Sequence, residues 1–455
     1  MIADQRDQDQ RDYVLRTAEE RGVRFIQLWF TDVLGIPKMF SITPAELEGA
    51  LDEGITFDGS SIDGFSRIQE SDVLACPDPK TFQILPLQSG DGDDDGSPVA
   101  RVFCDISNLD GSAFEGCPRN VLRRALDKAR EKGYSFYAAP EIEYFYFADS
   151  DPSRVPCPLD AGSYFELTVG DLTTDIRKRT LLTLEDMGIP VEYAQHEDAP
   201  SQHEIDLRHT DALSMADAIM TVRLVVKEIA QKRKAYATFM PKPLAGVQGS
   251  GMHTHFSLFE GDRNAFYDPD DERGLSDIAR CFIAGLLQHA REITAVTNQW
   301  VNSYKRLVAG YEAPVNVSWA HNNRSALIRV PVAKPGKVES TRIEYRAPDP
   351  ACNPYLAFAV ILAAGLDGVT SGYDLPAEAA TNLYTMTPQE LASEGIRPLP
   401  SNLEEAVALM ESSELVADTL GEHVFEWFIR NKRSEWSAYT RQVTQFELDR
   451  YLPTL

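Results

Sequence analysis

Ala139-Pro-Glu141-Ile-Glu143-Tyr-Phe-Tyr-Phe147 alternates apolar and acidic residues at period two and then runs into four consecutive aromatics. Successive side chains of an extended chain point to opposite faces, so this alternation predicts a strand with Glu141 and Glu143 on one face. The aromatic flank requires burial of the other. Such a strand turns its acids toward a cavity and not toward open water.

Four more segments repeat the pattern. Gln195-His-Glu197 through His203-Glu204-Ile-Asp206 reads as a turn that delivers Glu197 and Glu204. Gly249-Ser-Gly-Met-His253-Thr-His255-Phe-Ser257 puts both histidines and Ser257 on one face. Arg342-Ile-Glu344-Tyr-Arg346 is same-faced, and Ala326-Leu-Ile-Arg329-Val follows Asn323-Arg324. Alone, each has an ordinary reading: a wet sheet face, a satisfied histidine pair, a salt-bridge ladder. The set does not. A pair of carboxylates 4 Å apart repels by about 4 kcal/mol at an effective dielectric near 20. Hard divalent cations remove that repulsion, and carboxylates with one imidazole suit Mg²⁺ or Mn²⁺ better than zinc. Arg306, Arg324, Arg329, Arg342 and Arg346 are left for phosphate or carboxylate oxygens. Cations and arginines at one cavity point to phosphoryl transfer. The chain has neither a GxxxxGK[ST] loop nor a kinase loop, and Gly249-Ser-Gly251 is a weak glycine signal.

Composition narrows the class. The chain has 455 residues, too many for one ordinary core, so at least two domains are expected. Lys plus Arg number 44 against 70 Asp plus Glu, a net charge of −26 that disfavours nucleic acid and anionic membrane as partners. Six scattered cysteines without CxxC spacing argue against a disulfide scaffold or a zinc knuckle. The polar start, Met1 to Gln10, has no apolar h-region, so no signal peptide and a cytoplasmic location are expected. The apolar run Leu356 to Leu366 reads as a buried helix too short to cross a bilayer.

Residues 11–22 predict a helix ending at Gly22, and 23–108 a β-rich region with segments such as Val23–Phe30 and Thr81–Leu85. The loop 88–97 opens like a calcium loop, Asp91-x-Asp93-x-Asp95-Gly96, but Val102 stands where a bidentate Glu is required, so no calcium site is expected there. A boundary near residues 109–118 divides residues 1–110 from 111–455. Pro118 opens a helix that stops at Gly133. Residues 214–235 predict another, with Met215, Ile219, Val222, Val226 and Ile229 on one face.

With these residues assembled, the chain resembles the type I glutamine synthetases, in their shorter, alpha-like branch. The likeness runs over nearly the whole length and rests on long motifs: Phe57-Asp-Gly-Ser-Ser-Ile-Asp-Gly-Phe65, Arg67-Ile-Gln-Glu-Ser-Asp72, Pro140-Glu-Ile-Glu143, His196-Glu197, Phe239-Met-Pro-Lys-Pro243, Gly249-Ser-Gly-Met-His253, Asn302-Ser-Tyr-Lys-Arg306, Gly310-Tyr-Glu-Ala-Pro314, Asn323-Arg-Ser325 and Asn353-Pro-Tyr355. Gln248 and Ile142 are mild departures, standing where the family commonly has Asn and Pro.

The resemblance implies an α+β chain: a small N-terminal β-grasp-like domain and a larger catalytic domain whose antiparallel curved sheet forms a half-barrel flanked by helices. It implies ATP-dependent amidation of glutamate by ammonia through γ-glutamyl phosphate, with ATP as co-substrate and two or three Mg²⁺ or Mn²⁺ ions per site. Glu143, Glu197 and Glu204 match the ligands of one metal; Glu141, His253 and Glu344 match those of the second. Gly249, Arg306, Glu312, Arg324 and Arg346 match the positions that hold glutamate and its activated form. Glu192, His255, Ser257, Arg329 and Arg342 match nucleotide-site positions. Asp58, Ser61, Tyr164 and Glu197 match the ammonium pocket, with Asp58 as the base and Glu312 as the residue that closes over the intermediate. Asp58 belongs, in the family, to the neighbouring subunit's half of the site, which implies a homo-oligomer of two stacked hexamers. Arg67 matches an arginine linked to feedback inhibition by glutamine. Tyr384 aligns with a tyrosine that other branches adenylylate, although the insertion that accompanies that control is missing. Two rival readings stand beside this one: a ligase joining glutamate to a polyamine or other amine, and a catalytically silent member of the fold. Every ammonium-pocket and metal position is filled here, which favours ammonia over both.

Overall fold

The computed structural model describes residues 2–62, 72–86, 97–167, 171–334, 337, 340–379 and 381–455. Arg67 and the calcium-like loop Asp91–Gly96 lie outside these described residues.

The first sheet is built from β1 (Phe25–Thr31), β2 (Pro37–Ile42), β3 (Ile55–Asp58), β4 (Asp72–Pro77), β5 (Gln83–Leu85) and β6 (Val99–Ser107). Its order is β2-β1-β6-β4-β3, with β5 also on β6, and the β1–β6 pair is parallel. This is a β-grasp arrangement closed over Ile26, Leu28, Val73, Ala75, Val102 and Ile106. The preceding helix spans Ile2–Glu20 and so begins well before residue 11. Its first turns are Asp, Gln and Arg, with no apolar stripe to read in the sequence.

The second sheet contains β7 (Ser135–Phe147), β8 (Val191–His196), β9 (Gln202–Leu207), β10 (Thr210–Asp211), β11 (Tyr236–Thr238), β12 (Met252–Glu260), β13 (Arg263–Asn264), β14 (Trp319–Ala320), β15 (Ile328–Arg329) and β16 (Ile343–Tyr345). Its backbone order is β14-β15-β16-β12-β7-β9-β8, curled into a half-barrel. The pairing is antiparallel except at β14–β15, which run parallel, a departure from the all-antiparallel sheet expected. Helices Ala212–Lys232, Asp277–Thr297 and Pro354–Ser371 cover the convex, apolar face, where Ile142, Tyr144, Phe256 and Ile343 are fully buried or nearly so. Helix Pro354–Ser371 outruns the apolar stretch that marked it. It is long and apolar enough to cross a membrane, yet 72% of its 18-residue window is buried inside the protein.

Two of these helices cross at very close range. A Cβ on Gly285 would lie 2.2 Å from the Ala364 carbonyl, and one on Gly368 2.1 Å from that of Cys281. The obstacles are backbone atoms and cannot swing away. Gly285→Ala is expected to lower stability by roughly 1–3 kcal/mol through overpacking, read as a fall in the urea midpoint; an unchanged midpoint contradicts the crossing.

The sheets meet through buried polar contacts. Asn353 caps helix Pro354–Ser371 by accepting from the amides of Tyr355 and Leu356, and its own Nδ2 donates to the carbonyls of Asp32 and Val33 at 3.3 and 3.1 Å. Arg119, with 4% of its side chain exposed, donates to Asp78 and Asp105 of the first sheet region and to Asp217 of helix Ala212–Lys232 at 2.6–2.9 Å. The Tyr355 hydroxyl donates to the same Asp217 at 2.6 Å.

Candidate active site

Register alone brings the acidic and imidazole groups together. β7 pairs with β12 so that Glu141 faces His253, and with β9 so that Glu143 faces Glu204 and Glu141 faces Asp206. β12 pairs with β16 so that His255 faces Glu344, which in turn faces Arg329 on β15. Directly paired side chains in antiparallel strands share a face. One concave sheet surface therefore carries five carboxylates, two imidazoles and an arginine.

On one side, ligand atoms of Glu141, His253 and Glu344 all lie within 4.8 Å of one another. His253 Nδ1 is 3.3 Å from Glu141 Oε2, and His255 Nε2 is 2.7 Å from Glu141 Oε1. Burial opposes ionisation of Glu141, but the bonds from His253 and His255 outweigh it and hold the carboxyl well below its ordinary range. Glu344 is also lowered: burial opposes, and the charge of Arg346 prevails. Arg346 Nη1 donates to Glu344 Oε1 at 2.6 Å, and Arg329 Nε donates to Oε2.

On the other side stand Glu143, Glu197 and Glu204, joined through amides. Gln195 Nε2 donates to Glu197 at 2.8 Å and to Glu204 at 2.9 Å. Gln202 Nε2 and the Gly251 amide both donate to Glu143 Oε2 at 2.9 Å. Burial, then mutual repulsion, pushes Glu143 and Glu204 well above the ordinary carboxyl range. Burial likewise raises Glu197 to about 7, and burial with the charge of Glu141 raises Asp206 to about 7.

Around this floor, Gly249 is packed so that a Cβ would fall 2.3 Å from the Pro241 carbonyl, which demands glycine. Arg306 is buried, its guanidinium donating to the carbonyls of Ala347 at 2.7 Å, Arg346 at 3.2 Å and Pro348 at 3.3 Å. Arg342 Nε donates to His255 Nδ1 at 3.3 Å. Ser257 is half-buried one step along β12, while Glu192 is exposed on β8 beside a register shift. Arg324 is exposed and hydrogen-bonds the Tyr164 phenol, and Glu197 acts on the same phenol. The 308–314 loop sits above. Glu312 is exposed with φ 54°, one of four non-glycine residues in the left-handed region among those described. Its carbonyl accepts from Arg346 at 3.4 Å, the Ala313 carbonyl accepts from the Tyr384 hydroxyl at 2.8 Å, and Lys242 Nζ lies 4.1 Å from the centre of the Tyr311 ring. Asp58 and Ser61 lie at the far edge of the first sheet, where Ser61 Oγ donates to the Asp58 carbonyl at 3.1 Å and the Ser60 amide to Asp58 Oδ1 at 3.0 Å. The bonds described above bring Tyr164 to the cluster and leave Asp58 and Ser61 apart from it.

Comparison with known proteins bears on this geometry. The family model "Glutamine synthetase, catalytic domain" matches residues 115–451, and "Glutamine synthetase, beta-Grasp domain" matches 22–109. The chain belongs to the glutamine synthetase family. Proteins named glutamine synthetase from Mycolicibacterium smegmatis and Thermotoga maritima are 56% and 50% identical, covering 97% and 96% of this chain and 99% and 98% of those proteins. A solved structure titled "GmaS/ADP complex-Conformation 1" superposes with a TM-score of 0.86 at 32% identity, covering 97% of this chain and 99% of that one. Glutamine synthetases use ATP and divalent metals and are generally oligomeric.

The residues present fit divalent cations. The donor set is carboxylate oxygens with one imidazole, the preference of Mg²⁺ and Mn²⁺ and not of zinc. Four carboxyls held up by burial and mutual repulsion lack a counter-charge, and Asp206 Oδ1 is buried without a hydrogen-bond partner. The sequence reading missed Gln195, Gln202 and Asp206, each of which shares period-two parity with a glutamate already singled out. It also missed Tyr193, which hydrogen-bonds Asp206.

Proposed function

We propose that this protein is a glutamate–ammonia ligase, making glutamine from glutamate, ATP and ammonium. The observation that carries the reading is the convergence of Glu141, His253, Glu344, Glu143, Glu204 and Arg346 on one sheet face. The γ-carboxylate of glutamate attacks the γ-phosphorus of ATP, ADP leaves, and a γ-glutamyl phosphate results. This step is needed because oxide is a poor leaving group and phosphate is a good one. Bound Mg²⁺ or Mn²⁺ supplies charge neutralisation at the phosphate oxygens. Arg346, Arg324 and Arg306, with the Gly249 backbone, hold glutamate. Arg329, Arg342, His255, Ser257 and Glu192 line the nucleotide side. Asp58, Ser61, Tyr164 and Glu197 enclose ammonium; Asp58 takes its proton, and the ammonia lone pair attacks the acyl carbon, expelling phosphate. Glu312 closes over the acyl phosphate and excludes water.

Asp58 reaches a site by subunit contact, so the active unit is an oligomer of two stacked hexameric rings. The C-terminal tail supports this: Val443, Phe446, Leu452 and Leu455 are more than 60% exposed on the single chain, an apolar surface that suits a partner subunit. The division at residues 110 and 111 separates the part that lends Asp58 from the part that binds nucleotide, and the enzyme works in the cytoplasm. Asp58→Ala and Glu312→Ala are each expected to lower turnover by about two orders of magnitude or more with assembly intact, measured by phosphate release and gel filtration. A variant with full activity removes that residue from the mechanism. Arg67→Ala is expected to relieve inhibition by glutamine; unchanged inhibition defeats that assignment.

A second reading, a ligase for another amine, is favoured by the likeness to the GmaS structure and by Tyr164 being 42% exposed. Steady-state assays with ammonium, putrescine and ethanolamine separate the two. Activity with an amine and none with ammonium overturns the first reading.

A further inference from the structure

Beneath the acceptor side of the site lies a second buried cluster that the mechanism above does not use. Ligand atoms of Asp160, His196 and His203 fall within 4.8 Å of one another. A cation is the obvious reading, and the hydrogen bonds argue against it. Arg177 Nη1 is 2.7 Å from His203 Nδ1. A guanidinium only donates, so that nitrogen accepts and the ring hydrogen sits on Nε2, 3.5 Å from Asp160 Oδ2. His196 Nδ1 is 2.6 Å from the Glu197 carbonyl and its Nε2 is 2.8 Å from Asp160 Oδ1. Both neighbours only accept, so both ring nitrogens carry hydrogens. Neither imidazole keeps a lone pair for a metal.

What the cluster does hold is backbone. Asp160 Oδ1 accepts from the Ser201 amide at 2.9 Å and the Gly162 amide at 3.1 Å. Thr173 Oγ1 donates to Asp160 Oδ2 at 2.8 Å. Ser201 Oγ accepts in return from the Leu159 and Asp160 amides at 2.6 and 2.8 Å. The His196 carbonyl accepts the Phe165 amide at 3.1 Å. A Cβ on Gly162 would lie 2.5 Å from His196 Nε2, so the loop is drawn tight over the ring. Phe165 and Ser201 both adopt left-handed φ, 56° and 57°, a strain that persists only where surroundings over-determine it. His196 thus grips the Glu197 carbonyl with its ring and the residue after Tyr164 with its backbone.

We propose that Asp160 and His196 are positioning residues of the acceptor pocket, fixing the distance between the Glu197 carboxylate and the Tyr164 ring and so setting how tightly the amine is held. This rests on the reading of Glu197 and Tyr164 as acceptor-pocket walls. Neither residue touches a substrate; both act through those two.

The test is kinetic and structural together, on the assembled enzyme. In Asp160→Asn, KM for ammonium is expected to rise about tenfold or more, while KM for glutamate and for ATP change less than about twofold. Deuterium exchange at the Phe165 amide is expected to accelerate in the same variant without substrates or metal. Thr173→Val, which removes one bond to Asp160 and keeps its shape, is expected to show the same split at about threefold, and it covers the case in which Asp160→Asn does not fold. Equal rises in all three KM values, or an unaltered Phe165 exchange rate, overturn the proposal. So does stoichiometric zinc in the purified protein that Asp160→Asn loses. Were the wild type to use a larger amine and not ammonium, the same split would be read with that amine, so failure of the ammonia reading and failure of this one give different results.

Discussion

In metal-free protein at about pH 8.5, Glu197→Gln raises the melting temperature by a few degrees; with Mg²⁺ restored it lowers amide synthesis by about a hundredfold or more. Both halves follow from one property. Burial first, and then the charges of Glu312 and Asp198, raise the Glu197 carboxyl from 4.5 to about 7, against the amides of Gln195 and Asp198 that pull it down. A folded-state pKa above the unfolded one means that the folded chain binds the extra proton between the two values. Stability from this group is therefore full below about pH 4.5 and is lost as pH rises through about 7. Ionised and unaccompanied, the group costs at most about 3 kcal/mol. A glutamine keeps the shape and never ionises, so the gain appears at high pH and vanishes at about pH 5, where the wild-type carboxyl is protonated as well. Differential scanning fluorimetry across that range with and without chelator decides it. A melting temperature that falls at both pH values shows that the group is not strained. Asp206, also raised to about 7, adds to the same slope. Metal binding must expel these protons, so affinity for Mg²⁺ rises with pH over the same interval.

The largest loss of stability is expected at Arg119. Its guanidinium, 4% exposed, is the shared counter-charge of Asp78, Asp105 and Asp217. Burial works against its charge, but those carboxylates outweigh it and raise its pKa well above the ordinary value. Arg119→Leu leaves Asp217, 8% exposed at its side chain, as an uncompensated charge between helices. Breaking a buried pair from one side costs about 3–5 kcal/mol. Denaturation in urea is expected to show a loss of that size. Adding Asp217→Asn to the Leu variant is expected to recover part of it, because the amide oxygen still accepts from Tyr355 and carries no charge. A double variant no better than the single one would show that the loss is packing and not charge.

Much of the site was legible because its grammar is local. A strand of period two declares which residues share a face, so Glu141 with Glu143 and His253 with His255 were readable within one segment each. What joins those segments is register, and the sequence carries no statement that Glu143 faces Glu204 or that His255 faces Glu344. Asp206 shows the limit: its parity with Glu204 was on the page, but its weight depends on lying across from Glu141. Gln195 and Gln202 were invisible for another reason. An amide between carboxylates is unremarkable until the carboxylates are known to converge. The two arginines at the centre were readable as anion binders, yet Arg306 directs its donors at the backbone of residues 346–348 and Arg346 bonds Glu344, roles that only tertiary contact assigns. The β-rich first domain was legible from its turns and short apolar runs. The docking of Asn353 on Asp32 and Val33, across more than three hundred residues of chain, was not.

Helix Pro354–Ser371 has the length and oiliness of a bilayer-crossing segment, and its flank is covered partly by residues made later, Leu403, Ala406, Met410, Val416 and Leu420 among them. A ribosome that stops short of residue 400 would release a chain whose greasiest rod has lost its cover. Such a fragment would partition to lipid or to its own kind. Intactness of the carboxyl-terminal quarter therefore guards solubility as well as assembly, and nonsense alleles in that stretch should yield aggregates and not merely inactive enzyme.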